Sequence, residues 1–242
     1  MMRHGRLRKL AFASVLLGAV GAGAPTVAAR ADTPVSTPVD NTAPAPRCDG
    51  PVQSPDPDAS RISAAGHSLE WNWVPPGRSD RYGHAETLIH APMASVRGHV
   101  LDFPQYHNIL PGKFQQSRVV GHGPDRSTDV YIQIAVLHGV IKLWDITRFS
   151  APQATAPGVE IVEGHMLRGK GNVDDMQVMW TMRALNDEWT VLKLDMLLKP
   201  GLPVPQSSID EELRDSARYA VDSVHDRAQG SKEIAAWPGS GS

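Results

Sequence analysis

Four ionisable side chains stand near one another in the middle of the sequence: His138, Asp145, Arg148 and His165. All lie within or beside segments whose apolar residues alternate, the pattern of half-buried strands. Facing a common cavity, they could exchange protons with a substrate as a general acid/base set. Alternation restricts this, because Asp145 follows Trp144 and the two occupy opposite faces of one strand unless a bulge intervenes. No spacing compels catalysis, and a single polar residue orienting a ligand's polar group fits the same pattern. The ten histidines include no His-x-x-x-His pair, and Cys48 is the only cysteine, so no metal site is expected. Gly121-His-Gly123 and Gly169-Lys-Gly171 lack the spacing of a phosphate-binding loop and read as turns. No Gly-x-Ser-x-Gly nucleophile motif occurs. No cofactor is expected.

The elements that must position these residues are legible from periodicity. His84–His90 reads as a strand, closed by Ala91-Pro92, and Pro92 suits the start of a helix over Met93–Leu101. Asp102-Phe103-Pro104 breaks that helix, and Gln105–Leu110 reads as a second short one before Pro111-Gly112. Strands are then expected at Phe114–Val120, Thr128–Leu137, Val140–Phe149, Val159–Met166, Met176–Leu185 and Trp189–Lys199, with a loop over 151–158. Their apolar positions define one oily face: Ile134, Val136, Trp144, Met166, Met176, Val178, Trp180, Met182, Leu192, Leu194 and Met196. Such a face belongs to an antiparallel sheet with one wet side.

A long helix closes the sequence. Ser208 with Glu211 three residues on reads as a capping box, and Ile209, Leu213, Ala217, Ala220, Val221, Val224 and Ala228 recur at steps of three and four. That stripe must cover something, and the oily face is available. Leu213, Ala217 and Ala220 are expected opposite the sheet, with the two alanines leaving space beneath the helix. The methionines suit an adaptable apolar surface, although stripes of this kind also fill solid cores.

The order of elements resembles the START-like superfamily of polyketide cyclases, coenzyme-Q-binding proteins and lipid-transfer domains. The local carriers of the likeness are Ala85-Glu-Thr-Leu-Ile-His-Ala-Pro-Met-Ala-Ser-Val, then Asp102-Phe-x-x-Tyr106 and Pro111, and at the other end Gly201-Leu-Pro203 ahead of the Ile209–Ala228 helix. The resemblance covers about 84–229. It implies an α+β helix-grip fold, a curved antiparallel sheet wrapped around the C-terminal helix with two short helices after the first strand. It further implies an apolar cavity between sheet and helix, occupied by a hydrophobic ligand and in some members the seat of cyclisation or dehydration. His67–Arg81, with Trp71 and Trp73, precedes the family's usual start and reads as either an added strand or a flap.

The ends carry different information. Arg3, Arg6, Arg8 and Lys9, the apolar run Leu10 to about Ala24, and Ala29-Arg30-Ala31 have the order of a cleaved signal peptide over 1–31. The apolar run is too short to span a bilayer. Its removal would take five of the 24 basic residues and none of the 26 acidic ones, leaving a net charge of −7. That disfavours nucleic acid as a partner and electrostatic adhesion to anionic membranes, while a transient membrane contact stays compatible. Residues 32–60 hold seven prolines and read as a disordered linker, 61–229 as the folded domain and 230–242 as a flexible tail. The expectation is a periplasmic or secreted carrier of a hydrophobic small molecule or lipid, or alternatively a polyketide cyclase/dehydratase using the same cavity. No specific protein partner is implied.

Overall fold

The structure is a computed structural model that describes residues 59–109, 114–136, 141–169, 173–201 and 203–230. The expected signal segment, most of the linker and the tail beyond 230 lie outside these residues, as do His138 and the side chain of Val136.

Two elements precede the strand first recognised in the sequence: helix α1 (Ala59–Ala65) and strand β1 (Leu69–Trp73). β2 (Tyr82–Ile89) is buried along its whole length. Helix α2 (Met93–Val100), a 3-10 turn at Phe103–Gln105 and the single-turn α3 (Tyr106–Ile109) follow. Then come β3 (Phe114–His122), β4 (Thr128–Val136), β5 (Ile141–Phe149), β6 (Gln153–Ala156), β7 (Val159–Gly169), β8 (Val173–Ala184), β9 (Thr190–Pro200) and α4 (Gln206–Gln229). Where a loop was expected over 151–158, β6 and β7 form a hairpin, with Gly158 supplying the left-handed turn residue. The strands make one open antiparallel sheet in the order β1-β2-β9-β8-β7-β5-β4-β3, with β6 beside β7. Residues 67–81 are thus an added edge strand and its connection, paired to β2, rather than a flap over the cavity.

The capping box is corrected. α4 begins at Gln206 with Pro205 at the N-cap and no side-chain cap, so Ser208 already lies inside the first turn. Proline has its φ preset for this position, which starts the helix earlier than a Ser208 cap would. The far end follows the usual rule, with Gly230 in the left-handed conformation at φ 74°.

The core sits between α4 and the inner face of the sheet. Inward residues of β2, β9 and β8 (Ala85 and Ile89; Leu192 and Leu194; Met176, Val178, Trp180 and Met182) meet Ala217, Ala220, Val221 and Val224 of α4. Val96 and Val100 of α2 seal one end, and the Arg97 guanidinium ties that helix to Glu160 of β7 at 2.7 and 3.0 Å. A smaller cluster lies on the outer face, where Ala59 and Ile62 of α1 cover Leu88, Trp189 and Val191. No helix among the described residues is long and apolar enough to cross a membrane.

The closest approach in the core is at Gly83. A Cβ there would strike the Leu213 carbonyl carbon and lie 2.6 Å from its oxygen and 2.7 Å from Arg214 N. These are backbone atoms of α4, which no rotamer change can move aside. Gly83→Ala should therefore lift the helix from the sheet and lower stability by about 1–3 kcal/mol or more in urea unfolding. Gly98→Ala, on α2 with nothing within 4 Å of the added carbon, should be neutral or stabilising by about 0.5–1 kcal/mol. Equal effects at the two positions would contradict this packing.

Candidate functional site: an apolar cavity under the C-terminal helix

A cavity opens between the central strands and the first half of α4, with about 60 Å³ open to the centre of a water-sized molecule. Its wall is built mainly from strand positions of one parity, together with Ala135 of β4. Ile132 and Ile134 of β4, Phe149 of β5, Met176, Val178 and Trp180 of β8, and Leu194 and Met196 of β9 all project inward. Cross-strand register keeps them together, with Val178 opposite Met196 and Trp180 opposite Leu194. Tyr106 and Phe114 close one end, and their rings belong to an aromatic group with Phe103 and Phe149. Gly164 makes that group possible, because a Cβ there would lie 2.7 Å from the Phe149 ring.

α4 presents two adjacent rows of side chains to this interior. Ala217, Val221 and Val224 are buried in the solid core, and Leu213 is buried in the same row. Glu212, Ser216 and Ala220, each one turn apart, line the cavity. The helix grips with one row and walls the cavity with the next.

The sequence-derived positions divide accordingly. Ile134, Met176, Val178, Trp180, Leu194, Met196 and Ala220 reach the cavity wall. Met182, Leu192, Leu213 and Ala217 are packed solidly, and Met166 is half-buried against the same core. Trp144 is a correction. It lies on the outer face against Tyr131, ring centroids 5.7 Å apart, because β5 turns Leu143, Asp145, Thr147 and Phe149 inward. Seven further residues line it that the sequence had not pointed to: Tyr106, Phe114, Ile132, Ala135, Phe149, Glu212 and Ser216. Phe149 shares the parity of Asp145, and Glu212 and Ser216 are two and one turns before Ala220, so a strict reading of period would have found all three.

The four candidate acid/base residues do not form one set. Asp145 is buried on the inner face, opposite Ile132 on β4, and its carboxylate accepts a 2.6 Å hydrogen bond from Thr147 Oγ1. Arg148 and His165 are paired across β5 and β7 on the other side of the sheet. Arg148 is committed there to a two-bond contact with Asp129, at 2.7 and 3.0 Å, which holds its pKa above the ordinary value against a smaller burial effect. Burial lowers the pKa of His165, partly offset by Asp175. His138 lies outside the described residues. The thickness of the sheet thus separates Asp145 from Arg148 and His165, which overturns a shared acid/base site for these three. Among the described residues no cluster of His, Cys, Asp and Glu is arranged to hold a metal.

Asp145 is nonetheless unusual. Burial raises its pKa to about 6, and the Thr147 hydrogen bond offsets only part of that rise. A carboxyl with a raised folded-state pKa binds its proton more tightly in the native than in the unfolded chain. Its contribution is therefore most favourable below about pH 4 and is lost as pH climbs to about 6. Asp145→Asn should remove that loss and stabilise the protein at pH 7 by about 2–3 kcal/mol. The gain over wild type should shrink as pH falls from 6 to 4. Lower stability of the variant at pH 7 in a denaturant titration would mean that the carboxylate is stabilised in place.

No family model matches the chain, and no curated protein matches it in sequence. Solved structures do match in shape. A START superfamily protein from Mycobacterium smegmatis superposes with TM-score 0.53 at 14% identity, covering 62% of this chain and 97% of that one. A STAR-related lipid transfer protein from Xanthomonas axonopodis gives 0.55 at 15%, covering 65% and 91%. The Zhui aromatase/cyclase from a Streptomyces species gives 0.50 at 17%, covering 61% and 93%. At these identities the likeness is one of fold. The chain has the START-like, helix-grip fold, an open antiparallel sheet packed on a long C-terminal helix.

Proposed function

We propose that this protein is an exported carrier that holds a hydrophobic small molecule or lipid in the cavity between its sheet and α4. The observation that carries the reading is the wall itself: aliphatic, methionine and aromatic side chains converge there, with polar groups confined to Tyr106, Trp180, Glu212 and Ser216 among the described lining residues. Apolar area removed from water on binding is the main source of affinity in such a site. Methionine side chains at Met176 and Met196 let one wall adapt to ligands of different outline. Export rests on the signal-like order of residues 1–31 and would place the carrier in a periplasm or outside the cell. Delivery would involve brief contact with a membrane or another carrier.

Two fold relatives bear on the chemistry. One is named as a lipid transfer protein and the other as an aromatase/cyclase. The separation of Asp145 from Arg148 and His165 favours carriage over cyclase or dehydratase chemistry. An enzymic reading would have to use the inward carboxyl groups of Asp145 and Glu212.

Adjacent rows of α4 allow a test with an internal control. Ala220 lines the cavity, whereas Ala217 is fully buried beside it in the solid core. Ala220→Phe should place a ring in the free space, leave the thermal midpoint nearly unchanged and weaken uptake of a fluorescent fatty-acyl or sterol probe at least about tenfold. Ala217→Phe should overpack the core and cost about 1–3 kcal/mol or more. Unchanged uptake by Ala220→Phe, or no uptake by wild type, would contradict the carrier.

A further inference from the structure

A second polar cluster lies on the outer face of the sheet, across its thickness from the cavity. His84 and Glu86 of β2 stand opposite Asp195 and Lys193 of β9, pointing away from α4, and His84 and Glu86 are completely buried. Their cover comes from the added N-terminal elements. Trp71 of β1 lies over the His84 ring with centroids 4.2 Å apart, and Trp73 donates its indole N–H to Asp195 at 2.9 Å. Arg61 of α1 reaches Glu86 at 3.9 Å, and Lys193 reaches the same carboxylate at 3.8 Å. β8 flanks the cluster with Met179 and Thr181, neither of which titrates.

His84 is the pivot. Its Nδ1 is 2.7 Å from Asp195 Oδ1, and its Nε2 faces Glu86 Oε2 at 3.8 Å with no hydrogen-bond partner. A protonated ring turns an N–H toward each carboxylate. A neutral ring that keeps its Nδ1 proton on Asp195 turns a lone pair toward the Glu86 carboxylate, in a place shielded from water. Burial by itself would strip the proton, but the hydrogen bond to Asp195 and the two facing carboxylates of Asp195 and Glu86 outweigh it and raise the His84 pKa above the ordinary 6.5.

We propose that α1 and β1 form a pH-released strap, seated on the outer face while His84 carries its proton and loosened when it does not. The direction follows from linkage. A histidine whose folded pKa is raised contributes its full stability below about pH 6.5, and that contribution is lost as pH rises through the higher folded value. Other ties of the strap keep it attached at its far side: Arg214 and Arg218 of α4 reach Glu70, Asn72 donates to the Asp210 carbonyl, and Ser68 donates to Asp222. None of these is a histidine pair. Loosening is therefore local, a low-energy opening rather than global unfolding.

The test is hydrogen exchange by mass spectrometry on the full chain between pH 6 and 9, corrected for the intrinsic rate. Amides of 59–73 should lose about tenfold or more of their protection over this range, for each unit by which the ring's pKa is raised. Amides of β8 should keep theirs. His84→Gln should abolish the pH dependence. Glu86→Gln, which removes the carboxylate facing Nε2, should shift the transition to lower pH and serves if His84→Gln fails to fold. Flat protection of 59–73 in the wild type, an unchanged transition in Glu86→Gln, or the same loss in His84→Gln would overturn the strap.

Discussion

The backbone contact between Gly83 and the turn of α4 at Leu213–Arg214 is the constraint on which the rest of the structure depends. Only a residue without a side chain lets strand and helix approach so closely. That approach fixes where the first half of α4 crosses the sheet. Over β4, β5 and β8 the space beside the helix is left open as the cavity. A tight grip on β2 and a cavity over β4, β5 and β8 are consequences of one placement.

This division explains how one helix serves both stability and binding. The row Ala217, Val221 and Val224 meets β2, β9 and α2 in a solid core, with Leu213 buried where α4 touches Gly83, and volume changes there are costly. The neighbouring row, Glu212, Ser216 and Ala220, faces the free space. Changes along it alter the shape of the cavity with less effect on packing. The sheet obeys the same logic across its thickness. Its inner face carries the apolar wall, while its outer face holds the ion pair of Arg148 with Asp129 and the buried His84 cluster. Charge is thereby kept off the cavity wall except at Glu212 on the helix.

Much of this was legible because periodicity is local. The strands from Phe114 onward other than β6, the Pro92 start of α2 and the stripe on α4 follow from residue spacing and backbone preference, whereas the β6–β7 hairpin at Gly158 read only as a loop. Parity over single residues was less secure: Trp144 is large and apolar, yet it faces outward because Asp145 takes the inward position, a choice made by packing of Thr147 and Phe149 along the same strand. The Ser208 capping pattern lost to Pro205 in the same way, since a proline preset for the helix acts before a side-chain cap is reached. α1 and β1 were not resolved by pattern alone. The seven residues of α1 carry only Ala59 and Ile62 to the outer cluster, too few apolar positions to show a period. The pairing of His84 with Asp195 joins residues 111 apart in sequence, and nothing local announces it.

If an apolar ligand resides in the free space on the inner face, covalent mapping will find it there. A fatty-acyl probe bearing a photoactivated diazirine would be bound, irradiated and located by peptide sequencing. Insertion is expected into Met176, Trp180, Met196 and neighbouring inner-face residues, competed by unlabelled probe. Met179 and Leu197, adjacent in sequence but on the outer face, should remain unmodified. Insertion chiefly at the outer-face positions, or labelling that no competitor reduces, would contradict it.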